Sequence, residues 1–177
     1  MADIDREGDG RAGIAGKACI VTGGTTGIGR ATAIRLASLG AKVLICGRHQ
    51  PELDDAMADL RKAEGEAHGV TADLSLIQDV ERVFAEADRL FGRLDVLVNN
   101  AALGAGGIGE DGETDWEYVV RTNLVGYMAC TREALKRMKK AGAGHIVNIG
   151  SMSADVREEG SSIYVATKSA IQGFSES

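Results

Sequence analysis

A tyrosine and a lysine four residues apart, Tyr164 and Lys168, offer proton-transfer chemistry. On a helix such residues lie on one face, one turn apart, and at about 5 Å an ammonium favours the phenolate by roughly 3 kcal/mol when the effective dielectric is about 20. A tyrosine held in this way can donate or accept a proton at a carbonyl or alcohol oxygen, and the hydroxyl of Ser151 could hydrogen-bond the same oxygen. Tyr-x-x-x-Lys pairs also arise by chance, so the rest of the chain must decide whether this one is catalytic.

A glycine-rich turn near the start of the chain indicates a second site. Residues 17–22 are predicted to form a buried strand, residues 23–29 (Gly-Gly-Thr-Thr-Gly-Ile-Gly) a turn, and residues 30–39 a helix closed by Gly40. Strand, glycine-rich turn and helix are the order found in dinucleotide-binding proteins, because the glycines let the backbone approach a pyrophosphate and the helix N-terminus offers N–H groups to it. The spacing here is Gly-x-x-x-Gly-x-Gly, not Gly-x-Gly-x-x-Gly.

The residues after the second predicted strand (42–46) indicate which dinucleotide binds. Proteins that bind NAD usually place Asp or Glu near this point, where the acid meets the ribose 2′-hydroxyl. Here Gly47 stands in that place and Arg48 follows it. Arginine suits a 2′-phosphate through its charge and its forked donors, so the sequence favours NADP (NADPH) over NAD. The alternative is an ordinary surface arginine.

Two further strands are predicted to end in polar residues. A helix is predicted over residues 51–64, and the third strand, residues 66–72, follows it and leads into Asp73. A capping box that starts at Ser75 then opens a helix that runs to residue 91. Residues 94–98 form the fourth and lead into Asn99 and Asn100. Ligands bind outside the carboxyl ends of parallel strands, so these asparagines either meet a ligand or tie a turn.

A long helix over residues 114–140 is predicted to be interrupted. It opens on a Thr114-x-x-Glu117 capping pattern, and Asn123 and Gly126 lie inside it, where both residue types weaken a helix. The interruption indicates a local distortion near the site; the alternative is an exposed asparagine. Residues 145–149 then form the fifth strand, which leads to Ser151, and a last helix begins near residue 163.

The composition indicates one globular domain over residues 16–177 after a flexible arm, residues 1–15. The hydrophobic fraction is 44%, the charged fraction 26% and the net charge −6, which gives no support for binding nucleic acid or an anionic membrane. The three cysteines are far apart, which fits free thiols in a reducing cytoplasm better than a metal site. No apolar run reaches the roughly 20 residues of a membrane span.

Together these patterns resemble the short-chain dehydrogenase/reductase (SDR) family from about Gly16 to the last residue. Residues 22–29 resemble its cofactor turn, Asp73 the acid that contacts the adenine, and residues 99–102 its Asn-Asn-Ala-Gly motif, with Ala102 in place of glycine. Such a protein is an α/β fold, a Rossmann-type doubly wound parallel sheet with strand order 3-2-1-4-5 in the part present here.

The resemblance implies an NAD(P)-dependent oxidoreductase that moves a hydride between nicotinamide and a small carbonyl or alcohol substrate. The four catalytic residues of the family correspond to Asn123, Ser151, Tyr164 and Lys168. By this resemblance the tyrosine is the general acid or base, and the lysine supports it and binds the nicotinamide ribose. The serine stabilises the substrate oxygen, and the asparagine holds a relay water. The implied cofactor contacts are Gly23, Thr25, Thr26, Gly27, Ile28, Gly29, Arg48, Asp73, Leu74, Asn100, Ala101, Tyr164 and Lys168.

The family continues past the tyrosine helix with further strands and a segment over the substrate, and this sequence stops at Ser177. We therefore expect a C-terminally incomplete reductase, poorly soluble or heterogeneous in assembly and of little activity by itself. The alternative is a non-enzymatic product that binds nucleotide or a partner. The resemblance also implies a homo-oligomer, a dimer or tetramer, formed through the helices 114–140 and 163–177.

Overall fold

A parallel five-stranded sheet organises the described part of the protein. The computed structural model describes residues 11–63, 65–108, 115–157 and 159–177. Its strands lie in the order β3-β2-β1-β4-β5 and are β1 (Ala18–Thr22), β2 (Lys42–Gly47), β3 (Ala67–Thr71), β4 (Val96–Asn99) and β5 (His145–Asn148). The predicted Rossmann-type α/β fold and its strand order are confirmed.

Helices connect the strands and flank the sheet. They are α1 (Arg11–Ile14), α2 (Gly27–Ser38), α3 (Gln50–Leu60), α4 (Ile77–Phe91), α5 (Trp116–Val120), α6 (Gly126–Ala141), α7 (Ser153–Val156) and α8 (Ser162–Glu176), with a π-helical turn at Arg121–Val125 between α5 and α6. Within the described ranges, no helix is long and apolar enough to cross a membrane.

Alternation along the strands creates a core on each face of the sheet. Ile20, Leu44 and Leu97 are fully buried in one cluster, which α4 and α6 cover. Val43 and Ile45 point to the other face and lie in a second cluster with side chains of α2 and α3. Successive residues of a strand point to opposite faces, so apolar strands such as β1 and β2 are buried between two helical layers.

Several predicted helix boundaries shift in the structure. The capping box at Ser75 is wrong: α4 begins at Ile77, and the carboxylate of Asp79 instead accepts the backbone N–H of Asp73 at 2.7 Å. Thr114, the other predicted cap, lies outside the described residues, and Asp115 caps α5 by accepting the N–H of Tyr118. The distortion predicted around Asn123 is the π-helical turn.

The ends of the chain and of α3 also differ from the predicted boundaries. Residues 1–10 of the predicted arm lie outside the described residues, and the short helix α1 follows them. The described part of the helix predicted over residues 51–64 ends at Leu60, and residue 64 lies outside the description. The limits of the arm and of the domain stay predictions.

Parallel pairing places every strand's carboxyl end at one edge of the sheet. Thr22 pairs with Cys46, and Asn99 pairs with Asn148, so the segments after β1, β2, β4 and β5 leave the sheet side by side. This edge therefore collects the glycine-rich turn, Arg48 and the residues that lead to Ser151.

Candidate active site

A cleft of about 780 Å³ opens at this edge of the sheet. Most of the residues predicted from the sequence line it: Gly23, Thr25, Thr26, Gly27, Ile28, Arg48, Leu74, Asn100, Ala101, Ser151, Tyr164 and Lys168. The other three, Gly29, Asp73 and Asn123, do not line the cleft themselves, but each lies next to a lining residue in the chain. The volume is within the range of small-molecule and cofactor sites.

Asn100, which follows strand β4, hydrogen-bonds the end of β1 and the start of the glycine-rich turn. Its side-chain Nδ2 donates to the carbonyl oxygens of Thr22 at 3.0 Å and Gly23 at 3.1 Å, and its backbone N–H donates to the Thr22 hydroxyl at 2.9 Å. A Cβ on Gly29 would lie 2.2 Å from the Gly23 oxygen, so only glycine fits where α2 passes behind the turn. Asn100 thus ties the turn and also faces the cleft.

The start of α2 forms one wall of the cleft. The helix begins at Gly27, and its N-cap residue Thr26 makes no capping hydrogen bond to the described first turn. Backbone N–H groups at such an end carry a partial positive charge and suit an anionic ligand. With the close backbone approach allowed by the glycines, this wall fits the pyrophosphate of a dinucleotide.

Tyr164 and Lys168 lie one turn apart on α8, as their spacing predicts. The Lys168 Nζ is 5.8 Å from the centre of the Tyr164 ring and donates to the Ile149 carbonyl oxygen at 2.7 Å. Lys168 is only 2% exposed, and burial lowers the pKa of its ammonium. Tyr164 and Ser151 are half-buried, and all three residues line the same cleft.

Asn123 lies in the π-helical turn and is fully buried, so the alternative of an exposed asparagine is wrong. Its Oδ1 accepts the N–H of Leu103 at 2.7 Å, and its Nδ2 donates to the Leu103 carbonyl at 2.8 Å and to the Thr167 hydroxyl at 3.3 Å. The amide therefore holds the cleft-lining backbone at Leu103 against α8, next to Lys168.

Arg48 and Asp73 are joined by a tyrosine that the sequence did not single out. The Tyr118 hydroxyl donates to Asp73 Oδ2 at 2.7 Å and accepts from Arg48 Nη1 at 3.0 Å. Burial raises the pKa of the Asp73 carboxyl, but hydrogen bonds from Tyr118 and Ser75 and the charge of Arg48 outweigh it and hold that pKa below its usual value. Asp73 is therefore ionised at neutral pH.

Comparison with known proteins identifies the family. The family model described as short chain dehydrogenase matches residues 17–177. The chain belongs to the short-chain dehydrogenase family. The resemblance seen in the sequence, and its extent, are confirmed.

Named relatives of this chain are longer proteins. It is 38% identical to a 3beta-hydroxysteroid dehydrogenase of Mediterraneibacter gnavus over 90% of this chain and 58% of the relative. It is 36% identical to the 3-oxoacyl-[acyl-carrier-protein] reductase FabG of Aquifex aeolicus over 92% of this chain and 66% of the relative. A crystal structure of an actinorhodin polyketide ketoreductase variant with NADPH is similar at a TM-score of 0.85 and 36% identity, over 90% of this chain and 62% of that one. The chain thus spans roughly three fifths of these proteins.

The cleft also contains a buried cysteine. Cys46 lines the cleft, but burial raises the pKa of its thiol to about 11, so it is protonated at neutral pH. A protonated thiol is a poor nucleophile. In the part of the chain that the structure describes, no group of three His, Cys, Asp or Glu side chains is placed to hold a metal ion.

Sequence reasoning missed Tyr118 for a physical reason. It lies in the five-residue helix α5, and its partners are 45 and 70 residues away in the chain. No spacing rule connects residues so far apart. The sequence carries no signal for it, because the place of Thr122 in the cleft lining, one helical turn from Tyr118, is seen only in the structure.

Proposed function

We propose that the protein is an NADP-preferring oxidoreductase that transfers a hydride between nicotinamide and the carbon of a small carbonyl or alcohol substrate. The observation that carries the proposal is the shared cleft: Ser151, Tyr164 and Lys168 line one part of it and the glycine-rich turn lines another. The names of the similar proteins, a hydroxysteroid dehydrogenase and 3-oxoacyl and polyketide ketoreductases, describe the interconversion of keto and hydroxyl groups.

The residues of the cleft divide between cofactor and substrate. The glycine-rich turn and the start of α2 would hold the pyrophosphate, Arg48 the ribose 2′-phosphate, Asp73 the adenine, and Lys168 the nicotinamide ribose. When bound, the nicotinamide supplies or accepts the hydride. The absence of a Cβ at Gly29 fits this assignment, because it allows α2 to approach the backbone of the glycine-rich turn at Gly23, where the pyrophosphate would bind.

Tyr164 is the proposed general acid in reduction and general base in oxidation. In reduction its hydroxyl gives a proton to the substrate oxygen as the carbonyl carbon becomes an alcohol carbon. The Ser151 Oγ accepts the N–H of Ser153 at 3.1 Å, so its own proton is left to donate to the same substrate oxygen. That hydrogen bond stabilises the charge that develops on the oxygen.

Lys168 and Asn123 are proposed to support the tyrosine. The Lys168 ammonium is buried beside the Tyr164 ring, where a charge acts more strongly than in water, and it stabilises the phenolate left after proton transfer. One of the three N–H groups of the ammonium donates a hydrogen bond to the Ile149 carbonyl oxygen. The Asn123 Oδ1 keeps a second lone pair after bonding Leu103, and a relay water that returns protons to Lys168 would donate to it.

Cofactor preference gives a direct test of the proposal. We expect NADPH to bind at least about tenfold more tightly than NADH, a difference of about 1.4 kcal/mol, because Arg48 lines the cleft beyond β2. At Gly47, the place of the usual acid, a Cβ would lie 2.4 Å from the Thr25 Cγ2, so a side chain there would have to displace Thr25. Arg48→Asp should reverse the preference towards NADH.

Titration of NADPH and NADH by nucleotide fluorescence measures this preference. Arg61→Asp is the matched control, since Arg61 is exposed, carries the same charge and does not line the cleft. It should leave the ratio of the two affinities unchanged. Equal affinities for NADPH and NADH in the parent protein would contradict the proposed NADP preference.

We also propose that the protein forms a homo-oligomer through α6 and α8. A groove of about 350 Å³ on these helices has Met128, Leu135 and Phe174 in its lining, and the first two are about 40% exposed. The rest of the lining is polar or basic: Thr131, Arg132, Lys136 and Lys139. Large apolar side chains grouped in this way favour a second protein surface. Leu135→Glu should lower the molar mass measured by light scattering after size exclusion, whereas an unchanged mass would exclude this surface as the interface.

A further inference from the structure

The adenosine end of the cleft contains a hydrogen-bonded chain of three side chains. Arg48 Nη1 donates to the Tyr118 hydroxyl at 3.0 Å, and that hydroxyl donates to Asp73 Oδ2 at 2.7 Å. The Arg48 Cζ also lies 5.8 Å from the centre of the Tyr118 ring, within cation–π range. Tyr118 therefore contacts both the residue proposed for the 2′-phosphate and the residue proposed for the adenine.

The hydrogen bond leaves most of the guanidinium available. An arginine has five N–H donors in a rigid fork, and Tyr118 takes one of them. Among the described residues, no acceptor is bonded to Nε or Nη2 of Arg48. Those two nitrogens can therefore form the paired contacts that arginine makes with phosphate.

Tyr118 also occupies the Asp73 carboxylate oxygen that Arg48 could otherwise bond. Its hydroxyl occupies Asp73 Oδ2, while the Ser75 N–H occupies Oδ1 at 2.9 Å. Without the hydroxyl, the carboxylate would have a free acceptor facing Arg48, and the guanidinium could pair with it directly. A phosphate would then compete with an internal carboxylate for the same arginine.

We propose that Tyr118 is a specificity-determining residue of the cofactor site, which holds Arg48 in position for the ribose 2′-phosphate and keeps it from pairing with Asp73. The inference rests on the proposed NADP preference and adds a residue outside the cleft lining to it. Tyr118 acts through Arg48, so it is a positioning residue with no part in hydride transfer.

The test uses ligands that lack the nicotinamide half of the cofactor. 2′,5′-ADP carries the 2′-phosphate and 5′-AMP lacks it, so isothermal titration of each isolates the phosphate contact from the nicotinamide and the substrate. Tyr118→Phe removes the hydroxyl and keeps the ring. It should weaken 2′,5′-ADP binding about tenfold, as expected for a lost hydrogen bond to a charged group, and change 5′-AMP binding less than about twofold.

A double-mutant cycle with Arg48→Gln separates a positioning role from a general structural one. If Tyr118 acts through Arg48, Tyr118→Phe should have no further effect on 2′,5′-ADP binding once the arginine is gone. Thermal unfolding of each variant checks that the fold is kept, which an isosteric change at a half-buried position should allow.

The outcomes distinguish this inference from the proposed function. A parent protein that binds 2′,5′-ADP and 5′-AMP equally would overturn the NADP preference and the role of Tyr118 with it. A parent that discriminates, together with a Tyr118→Phe variant that discriminates equally well or better, would leave the NADP preference standing and overturn the role of Tyr118. Equal losses for both ligands, or an undiminished effect in the Arg48→Gln background, would likewise show that Tyr118 does not act through Arg48.

Discussion

Tyr164→Phe is expected to lower turnover of any accepted carbonyl substrate by about 10²–10⁴, the usual contribution of general acid–base catalysis. The phenylalanine keeps the ring beside Lys168 and removes only the proton that the substrate oxygen would receive. Because the cofactor contacts at the glycine-rich turn are untouched, NADPH affinity should change little. Steady-state oxidation of NADPH and a fluorescence titration measure the two quantities on the same protein.

Tyr127→Phe is a suitable control for this change. The Tyr127 ring lies 5.4 Å from the Lys168 Nζ, and its hydroxyl is 3.5 Å from the Ile149 oxygen that the lysine also contacts. It is buried and does not line the cleft, so it is near the same lysine without access to substrate. We expect its loss to change turnover less than about tenfold. Near-parent turnover in Tyr164→Phe would remove this tyrosine from the mechanism.

The sheet and the reactive pair could be predicted because their signals are local. Apolar runs separated by glycine-rich turns and helical patterns specify parallel strands, and the four-residue step from Tyr164 to Lys168 specifies a shared helix face. Asn123 with Gly126 likewise predicted a weak point in a helix. The form of that weakness, a π-helical turn held by the Leu103 backbone, depends on a contact with a segment 20 residues away.

Hydrogen bonds that no spacing rule specifies account for what the sequence did not reveal. The Ser75 capping pattern fits the sequence rule, but Asp79 bonds the Asp73 N–H and α4 starts two residues after Ser75. Tyr118 has no motif, and its role follows only from where α5 places it relative to β2 and β3. Local patterns therefore specify which elements form, whereas the hydrogen bonds that tune the site depend on how those elements pack.

Gly29→Ala is expected to destabilise the protein and the cofactor site together. The new Cβ would lie 2.2 Å from the Gly23 carbonyl oxygen and 2.4 Å from Asn100 Nδ2, so the turn or α2 must move. Overpacking at a rigid site costs about 1–3 kcal/mol, and movement of the turn would also break the Asn100 hydrogen bonds at about 1 kcal/mol each. We expect the free energy of unfolding in urea to fall by about 2–4 kcal/mol and NADPH affinity to fall about 100-fold, equivalent to about 2.7 kcal/mol.

Gly27→Ala separates this steric effect from the general cost of replacing a glycine in the turn. Gly27 has a φ of +53°, which an alanine adopts at a cost of about 1–2 kcal/mol, but a Cβ there meets no atom within 4 Å. Gly29 has the opposite properties: its φ is not positive, and a Cβ there would overlap atoms of Gly23 and Asn100. If contact with Gly23 and Asn100 is what requires glycine at position 29, Gly29→Ala must lose more stability in urea than Gly27→Ala. An equal or smaller loss would show that the turn can open to admit a side chain, and the fit of Asn100 behind the pyrophosphate site would then not depend on Gly29.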